Sequence, residues 1–473
     1  MAASLAISTM LIAASTSCGR FQRYEAAPVP EPSANGFVHR TLDDPALRQF
    51  LAAQGAHTTD GRWTPKELAL AALYFHPALR EQAAAVAIAR AEEVTAGAPP
   101  DIAASTEVSR AARVDEGKST PWSVSLTSGL TFETGGKRAA RRARARAFTL
   151  ASTLRLQAAA WQLGAIATAA AAVRAAGADQ EMDDARREGA ALAELAKLVR
   201  ARYAEGQVTL ADVAQAETES QTAIVAAVQA ERARTAARLD LARALAVPLR
   251  AVDSLPLRAD AAQPCARSAS AGFDSLGAIA LHERYDLGAA LADYAVAEGS
   301  LRIEIARQYP DITIGPGIAW DQGVFRWILS LGTPGFLRNL NRGPIAEARA
   351  RRAATAARVG TIQDSILAAV DSAVGVCGDA SRETDATAAL VVSTQKSLEI
   401  AQAAYERGET GQTEVAFARV AVLRATRAHH LAEQRAREAG VALESVLGAW
   451  PPGEPRWPDL TSQTSLFTKD ETQ

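Results

Sequence analysis

YPDITIGPGIAWDQGVFRWILSL, residues 309–331, is built unlike the Ala-rich chain around it. Ile312 and Ile314 alternate with Thr313 before Gly315-Pro316-Gly317, and Phe325, Trp327, Leu329 and Leu331 alternate with Arg326, Ile328 and Ser330 after Asp321-Gln322-Gly323. A period of two on either side of a turn tripeptide predicts a β-hairpin, with Gly315-Pro316-Gly317 interrupting its first strand. Strands of about ten residues at ~3.3 Å per residue, tilted, match the roughly 30 Å of a bilayer's hydrocarbon. A soluble hairpin with one buried face would show the same alternation, so the rest of the chain has to decide.

A second hairpin is expected from Asp101 to Glu133, with strands Asp101–Val108 and Trp122–Glu133 joined by ARVDEGKST. Trp122, Val124, Leu126, Leu130 and Phe132 share one face of its second strand, and Ser123, Ser125, Thr127 and Thr131 share the other. Apolar outside and small polar inside is the pattern of a water-filled barrel wall. Four strands do not close a barrel, since the smallest membrane barrels have about eight. Hairpins of this kind in a membrane therefore require an oligomer.

Elsewhere the chain reads as helix. Of 473 residues only 5% are aromatic, which suits long helices with narrow seams better than thick globular cores. A formal charge of -2 gives no reason to expect a nucleic-acid partner. Thr64 and Pro65 open a helical segment that stops at Gly97-Ala98-Pro99-Pro100. Proline-free helix is expected continuously from about Lys137 to Tyr203, roughly 100 Å at ~1.5 Å per residue. Shorter helices follow at about 210–245, 275–308 and 410–448.

The ends are of another kind. Residues 1–17 have the short apolar core of an export signal, and residues 18–62, with Pro28, Pro30 and Pro32, read as an extended leader. Ser15-Thr16-Ser17-Cys18 resembles the lipobox that precedes a lipidated cysteine, although Ser15 replaces the usual Leu and no cation follows Met1. Simple cleavage stays open beside lipidation of Cys18. Cys265 and Cys377 carry no warrant for a disulfide in their spacing, and packing is expected for Cys377 and exposure for Cys265. Residues 451–473 form a polar tail.

The chain also repeats. Pro100-Asp101-Ile102 returns as Pro310-Asp311-Ile312, Lys137-Arg138 corresponds to Asn341-Arg342, Tyr203-Ala204-Glu205-Gly206 returns as Tyr405-Glu406-Arg407-Gly408, and Leu245 as Leu447. Each half, 63–274 and 275–450, thus gives a helix, a β-hairpin (101–133 and 309–333), a very long helix, a glycine turn and a shorter helix. End to end, 210–245 with 275–308, and 410–448 with 66–96, approximate two composite helices of similar length to the long ones. The fold class is mainly α with a membrane β-barrel.

With these residues in place the chain resembles the TolC family of outer-membrane efflux proteins over nearly all of its length after about residue 40. HPAL (76–79) and RYDL (284–287), YPDI (309–312), the Y-x-x-G turns at 203 and 405, LARALAVP (241–248) and LESVLG (443–448) carry the resemblance. ETGGKRAAR (133–141) is similar to the heavy-metal branch typified by CzcC. The resemblance implies a homotrimer with a twelve-stranded β-barrel in the outer membrane and a twelve-helix α-barrel through the periplasm. It also implies a periplasmic adapter and an inner-membrane pump of the RND type as partners, passive export of metal ions or small toxic molecules, and no catalytic site or cofactor. A periplasmic coiled-coil scaffold or adapter lipoprotein is the competing class, and a type I secretion channel is possible within the first.

On this reading the tips 203–213 and 405–415, with Tyr203, Gly206, Val213, Tyr405, Gly408 and Val415, dock the adapter. The alternative, that the glycines only cap helices, does not exclude docking. Glu414 falls on an aperture acid of the family, while Phe417 and Thr410 stand where a second acid and an Arg would be. Asp212 is its counterpart in the first tip, or part of a solvated helix face. KRAARRARAR (137–146) places cations where they oppose a helix dipole, so anionic lipid headgroups or nearby acids should compensate, unless the run is plain solvated helix. ETGGK fails as a phosphate loop, because Thr131 and Arg138 occupy the required positions. His429-His430 point about 100° apart on a helix and make no joint metal clamp.

Overall fold

The structure, a computed structural model, describes residues 24, 26, 35–56, 61–114, 116–258, 265, 272–333 and 340–448. The expected signal segment, Cys18 and the tail 451–473 lie outside the described residues. Residues 1–39 form a separate unit, whose described part holds the single-turn helix Asn35–Val38.

In the main unit the first element is α1, Pro45–Ala53, with Leu47, Phe50 and Leu51 buried. The expected extended leader is therefore corrected: i, i+3, i+4 spacing puts three apolar side chains on one face, and burial follows. Helix α2, Pro65–Phe75, starts at Thr64 with a complete capping box to Glu67 and Pro65 in the first turn. His76 breaks it at ψ 121°, because the residue before Pro77 is driven out of the helical region, and α3, Pro77–Gly97, follows. The second half has the same break without a proline. Helices α7, Phe273–Glu283, and α8, Tyr285–Ala306, meet at Arg284 with ψ 123°, where Asp286 accepts from Arg284 Nε at 2.9 Å and from the Leu287 amide at 2.9 Å. HPAL and RYDL are thus one structural device.

The first long helix is not uniform. Helix α4, Lys137–Trp161, passes through a π-helical stretch, Gln162–Thr168, into α5, Ala169–Ala204. There the Ala169 amide donates to Gly164 O, five residues back, and the Thr168 hydroxyl donates to Leu163 O at 2.8 Å. The helix α2 packs on this stretch. Between Lys137 and Gly206 the chain has two more residues than between the matched Asn341 and Gly408, and widened turns of this type absorb extra residues without ending a helix. The second long helix, α9, Arg342–Glu406, is α throughout its 65 residues. Helices α6, Leu210–Leu245, and α10, Gln412–Leu447, return from the two tips.

Packing sets the columns. Next to the sheet α4 lies between α3 and α8, and α8 also meets α9; toward the tips α5 lies between α6 and α10, and α10 meets α9. So α3 and α6 share one column and α8 and α10 another. The composite helices form within each half, correcting the pairing expected across halves.

Both hairpins join in one antiparallel sheet, β1 (Ala103–Arg110), β2 (Trp122–Phe132), β3 (Ile312–Asp321) and β4 (Val324–Gly332), in that order. Val124, Leu126, Leu130 and Phe132 pair with Trp320, Ile318, Ile314 and Ile312. On the other side Ile314, Pro316, Ile318 and Trp320 pair with Leu331, Leu329, Trp327 and Phe325. Strand β3 continues through Gly315-Pro316-Gly317 and pairs with β4 throughout, so the expected interruption is confined to its ladder with β2, which skips Gly315 and Pro316 without changing register. The turn is Gln322-Gly323, both with positive φ (51° and 103°), as two-residue hairpins require. At the far end Gly135 and Gly136 (φ 64° and 74°) turn strand into helix, and a Cβ on Gly135 would lie 2.8 Å from Tyr309.

Two cores lie at the level where α2 and α7 pack. One unites Leu47, Leu68, Leu156, Leu241 and Leu245; the other unites Leu276, Ile366, Val370, Leu443 and Leu447. The buried Arg238 donates to Val252 O (2.6 Å) and Leu255 O (2.8 Å) and pairs with Asp179, which clamps the connector after α6 onto the helices.

Cys265 and Cys377 form a disulfide, with Cα atoms 5.5 Å apart, correcting the separate roles expected for them. It ties the connector to α9. Cross-linking over 112 residues should stabilise by roughly 2–5 kcal/mol through the unfolded state. Cys377→Ser, or reduction of the wild type, is expected to lower the melting temperature by the same amount, and reductant should leave the variant's melting temperature unchanged.

Candidate functional site

Two regions can act on something outside the chain: the tips and the sheet. At the first tip α5 ends in a Schellman turn, with the Gly206 amide donating to Tyr203 O (2.9 Å) and the Gln207 amide to Arg202 O (2.9 Å). At the second, Gly408 donates to Tyr405 O and Glu409 to Ala404 O, both at 2.9 Å. Gly206 and Gly408 sit at φ 76° and 75°, which only glycine adopts freely. Tyr203 and Tyr405 are exposed beside them.

The two tips differ after the glycine. Thr209 caps α6 with a full capping box: its hydroxyl (2.7 Å) and amide (2.8 Å) donate to Asp212 Oδ2, which holds the Asp212 carboxyl below the usual aspartate range. Asp212 is thereby occupied as a cap. Its counterpart Glu414 lies in the first turn of α10, whose N-cap is Gly411 and carries no side-chain cap. Glu414 instead accepts from Arg202 Nη1 at 3.1 Å, so an ion pair joins the two tips.

Val213 is buried, 6% exposed, among Leu192, Leu195, Val199 and Val420. This corrects its expected place on a docking surface: it faces inward, one residue after the capping acid, and holds the tip helices together. Val415 is half-buried, and Phe417, where the family carries a second acid, is exposed.

Above the tips the seam between α5 and α10 is charged. Glu188 accepts from Arg424 Nε (2.9 Å) and Arg427 Nη1 (2.9 Å), Arg427 also pairs with Glu181, and Arg424 reaches Glu219 at 3.4 Å. The Glu181 hydrogen bond, with help from Glu188, raises the Arg427 pKa against the opposing effect of burial. His430 Nδ1 lies 2.7 Å from Asp184, while His429 turns to Thr387 of α9 at 3.2 Å. Among the described residues no group of three His, Cys, Asp or Glu could hold a metal ion. Sequence reasoning missed this seam and Arg202. Its signal was present as acids at 181, 184 and 188 and bases at 424, 427 and 430, spacings that keep each set on one helix face.

The sheet has two unlike faces. Trp122, Val124, Leu126 and Phe132 are exposed and Leu130 is half-buried; Phe325 is exposed, and Trp327, Leu329 and Leu331 are 82%, 76% and 73% exposed. The opposite face carries Ser105, Ser123, Ser125, Thr127, Thr131, Thr313 and Ser330. Such an apolar area standing in the open marks a contact with lipid or protein.

The outer membrane efflux protein family model matches residues 68–247 and 276–449. The chain belongs to this family. It is an outer-membrane efflux channel of tripartite export systems. No curated protein matches it. Among solved structures, VceC of Vibrio cholerae is similar with 20% identity and a TM-score of 0.64, over 81% of this chain and 96% of that one. CmeC of Campylobacter jejuni has 13% identity and a TM-score of 0.65, over 94% and 98%. The open state of MtrE from Neisseria gonorrhoeae has 19% identity and a TM-score of 0.60, over 91% and 98%. These likenesses fix the fold of this efflux channel, mainly helical with a small antiparallel sheet.

The Thr209–Asp212 cap makes a pH prediction. A depressed folded pKa means that the cap stabilises fully above the ordinary aspartate value of about 3.9 and is lost as pH falls through the lower folded value. Amide exchange in the first turn of α6 should accelerate there, whereas Asp212→Ala should exchange fast at every pH.

Proposed function

We propose that three copies of the chain form a continuous water-filled duct, passive in itself and driven by its inner-membrane partner. The carrying observation is the sheet: an exposed apolar face, a polar reverse and two edge strands, β1 and β4, with no partner among the described residues. Backbone groups along an open edge in lipid have no partner, so β4 of one copy must pair with β1 of the next. Three sheets then give twelve strands, and four columns per chain give a twelve-helix tube below them. A periplasmic scaffold has no use for such a face, which weighs against that class.

In this reading Tyr203, Gly206, Tyr405, Gly408 and Val415 present the tips to a periplasmic adapter, and an RND-type pump supplies the energy. Glu414 and Arg202 hold the tips together at the narrow end. The base stands on the first tip and the acid on the second. Lipidation of Cys18 would anchor the N-terminus to the same membrane.

The native mass of the chain extracted from outer membranes in mild detergent, corrected for bound detergent, should equal three copies; a detergent-free soluble monomer would overturn the reading. An exposed ion pair contributes ~0.2–1 kcal/mol, so Glu414→Gln should raise the open fraction in planar-bilayer recordings by up to about fivefold per pair. Arg202→Gln should do the same. The double variant should add little to either, since both remove one interaction.

A further inference from the structure

We propose that the sheet-proximal ends of α4 and α9 bind the headgroups of anionic phospholipids in the membrane leaflet on the helical side. The inference rests on the sheet being a membrane barrel. Residues 137–146 and 342–358 contain eleven Lys or Arg and one acid, at helix starts where the dipole already carries positive charge. Part of that charge is answered inside the chain. Lys137 pairs with Asp311 at 2.7 Å, Arg146 with Glu93 at 3.0 Å, Arg352 with Glu298 at 2.8 Å, Arg141 with Glu133 and Arg351 with Glu347. Arg138 Nε donates to Gly97 O at 2.6 Å, where α3 ends and its carbonyls lack partners.

Arg142 and Arg144 on α4 and Arg342 and Arg349 on α9 remain exposed and meet no acid among the described residues. Arg142, Arg144 and Arg349 lie near one level, and Arg342 lies about 10 Å nearer the sheet than Arg349. Arg144 backs onto Gly299 of α8, and Arg352, one turn beyond Arg349, pairs with the adjacent Glu298. Seven residues of helix from Lys137 to Arg144 cover ~10 Å, and a headgroup layer is roughly 5–8 Å deep. Toward the sheet Ile102, Phe132, Tyr309 and Ile312 are exposed, with the exposed acid Asp101 beside Ile102, and their aromatic and aliphatic side chains make the rim expected at a lipid–water boundary. Unanswered guanidiniums just beyond such a rim sit where phosphates lie, and a guanidinium grips phosphate through two parallel hydrogen bonds.

The test reconstitutes the full chain in nanodiscs of phosphatidylcholine, alone or mixed with phosphatidylglycerol, and measures the lipid it retains by native mass spectrometry. Wild type should retain phosphatidylglycerol preferentially, with the preference shrinking at high salt. Arg142→Gln, Arg144→Gln, Arg342→Gln and Arg349→Gln should reduce the enrichment by about fivefold for each arginine removed, and the four Arg→Lys versions should keep most of it. Wild type without a preference for phosphatidylglycerol overturns the proposal with no variant needed, as does unchanged enrichment in the Gln variants. Failure of wild type to enter either nanodisc would instead sink the barrel reading, and this inference with it.

Discussion

A sheet that shows hydrocarbon-compatible side chains on one face cannot leave the N–H and C=O groups of its edges unpaired, because the medium on that side offers them nothing. Strands β1 and β4 carry that constraint here. It calls for further copies, since neither edge has a partner among the described residues. It also assigns the faces: the Ser and Thr rows of β2 and β3 can only line water once the Trp and Leu rows face lipid. The first long helix grows directly from β2, at Gly135-Gly136.

Along the helices, contacts differ in kind. The cores where α2 and α7 pack are apolar and include a disulfide, so that level is the rigid part. The α5–α10 seam toward the tips is a ladder of Arg–Glu and His–Asp pairs, several of its acids nearly buried. Charges of this kind hold register strongly once formed, yet gain little net stability over well-packed apolar groups, because desolvation offsets the attraction. A seam with those properties suits surfaces that must align and also separate.

Much of this was legible in the sequence. The period-two runs, Gln322-Gly323, the Tyr-Gly turns and the repeated halves follow from local rules, and the structure places them accordingly. What escaped depends on neighbours distant in the chain. Cys265 meets Cys377 only because the connector folds back on α9. The residues 162–168 have ordinary helical composition, and only the packing of α2 and the length mismatch distinguish them. Val213 looked like a surface residue because its burial is decided by Leu192, Leu195 and Val420. The helix α1 was the exception, since Leu47, Phe50 and Leu51 had the right spacing in plain view.

The Thr209-to-Gly411 difference between the two tips has a mechanical consequence. The helix start of the first tip is self-contained, its N-terminal amides met by its own side chains. The second has no capping side chain at Gly411, and its Glu414 is engaged across the gap by Arg202. Moving it releases one ion pair and no cap, whereas unravelling the first forfeits both. Near symmetry of the halves therefore ends at the tips, where one helix start is closed by its own side chains and the other is tied across the gap.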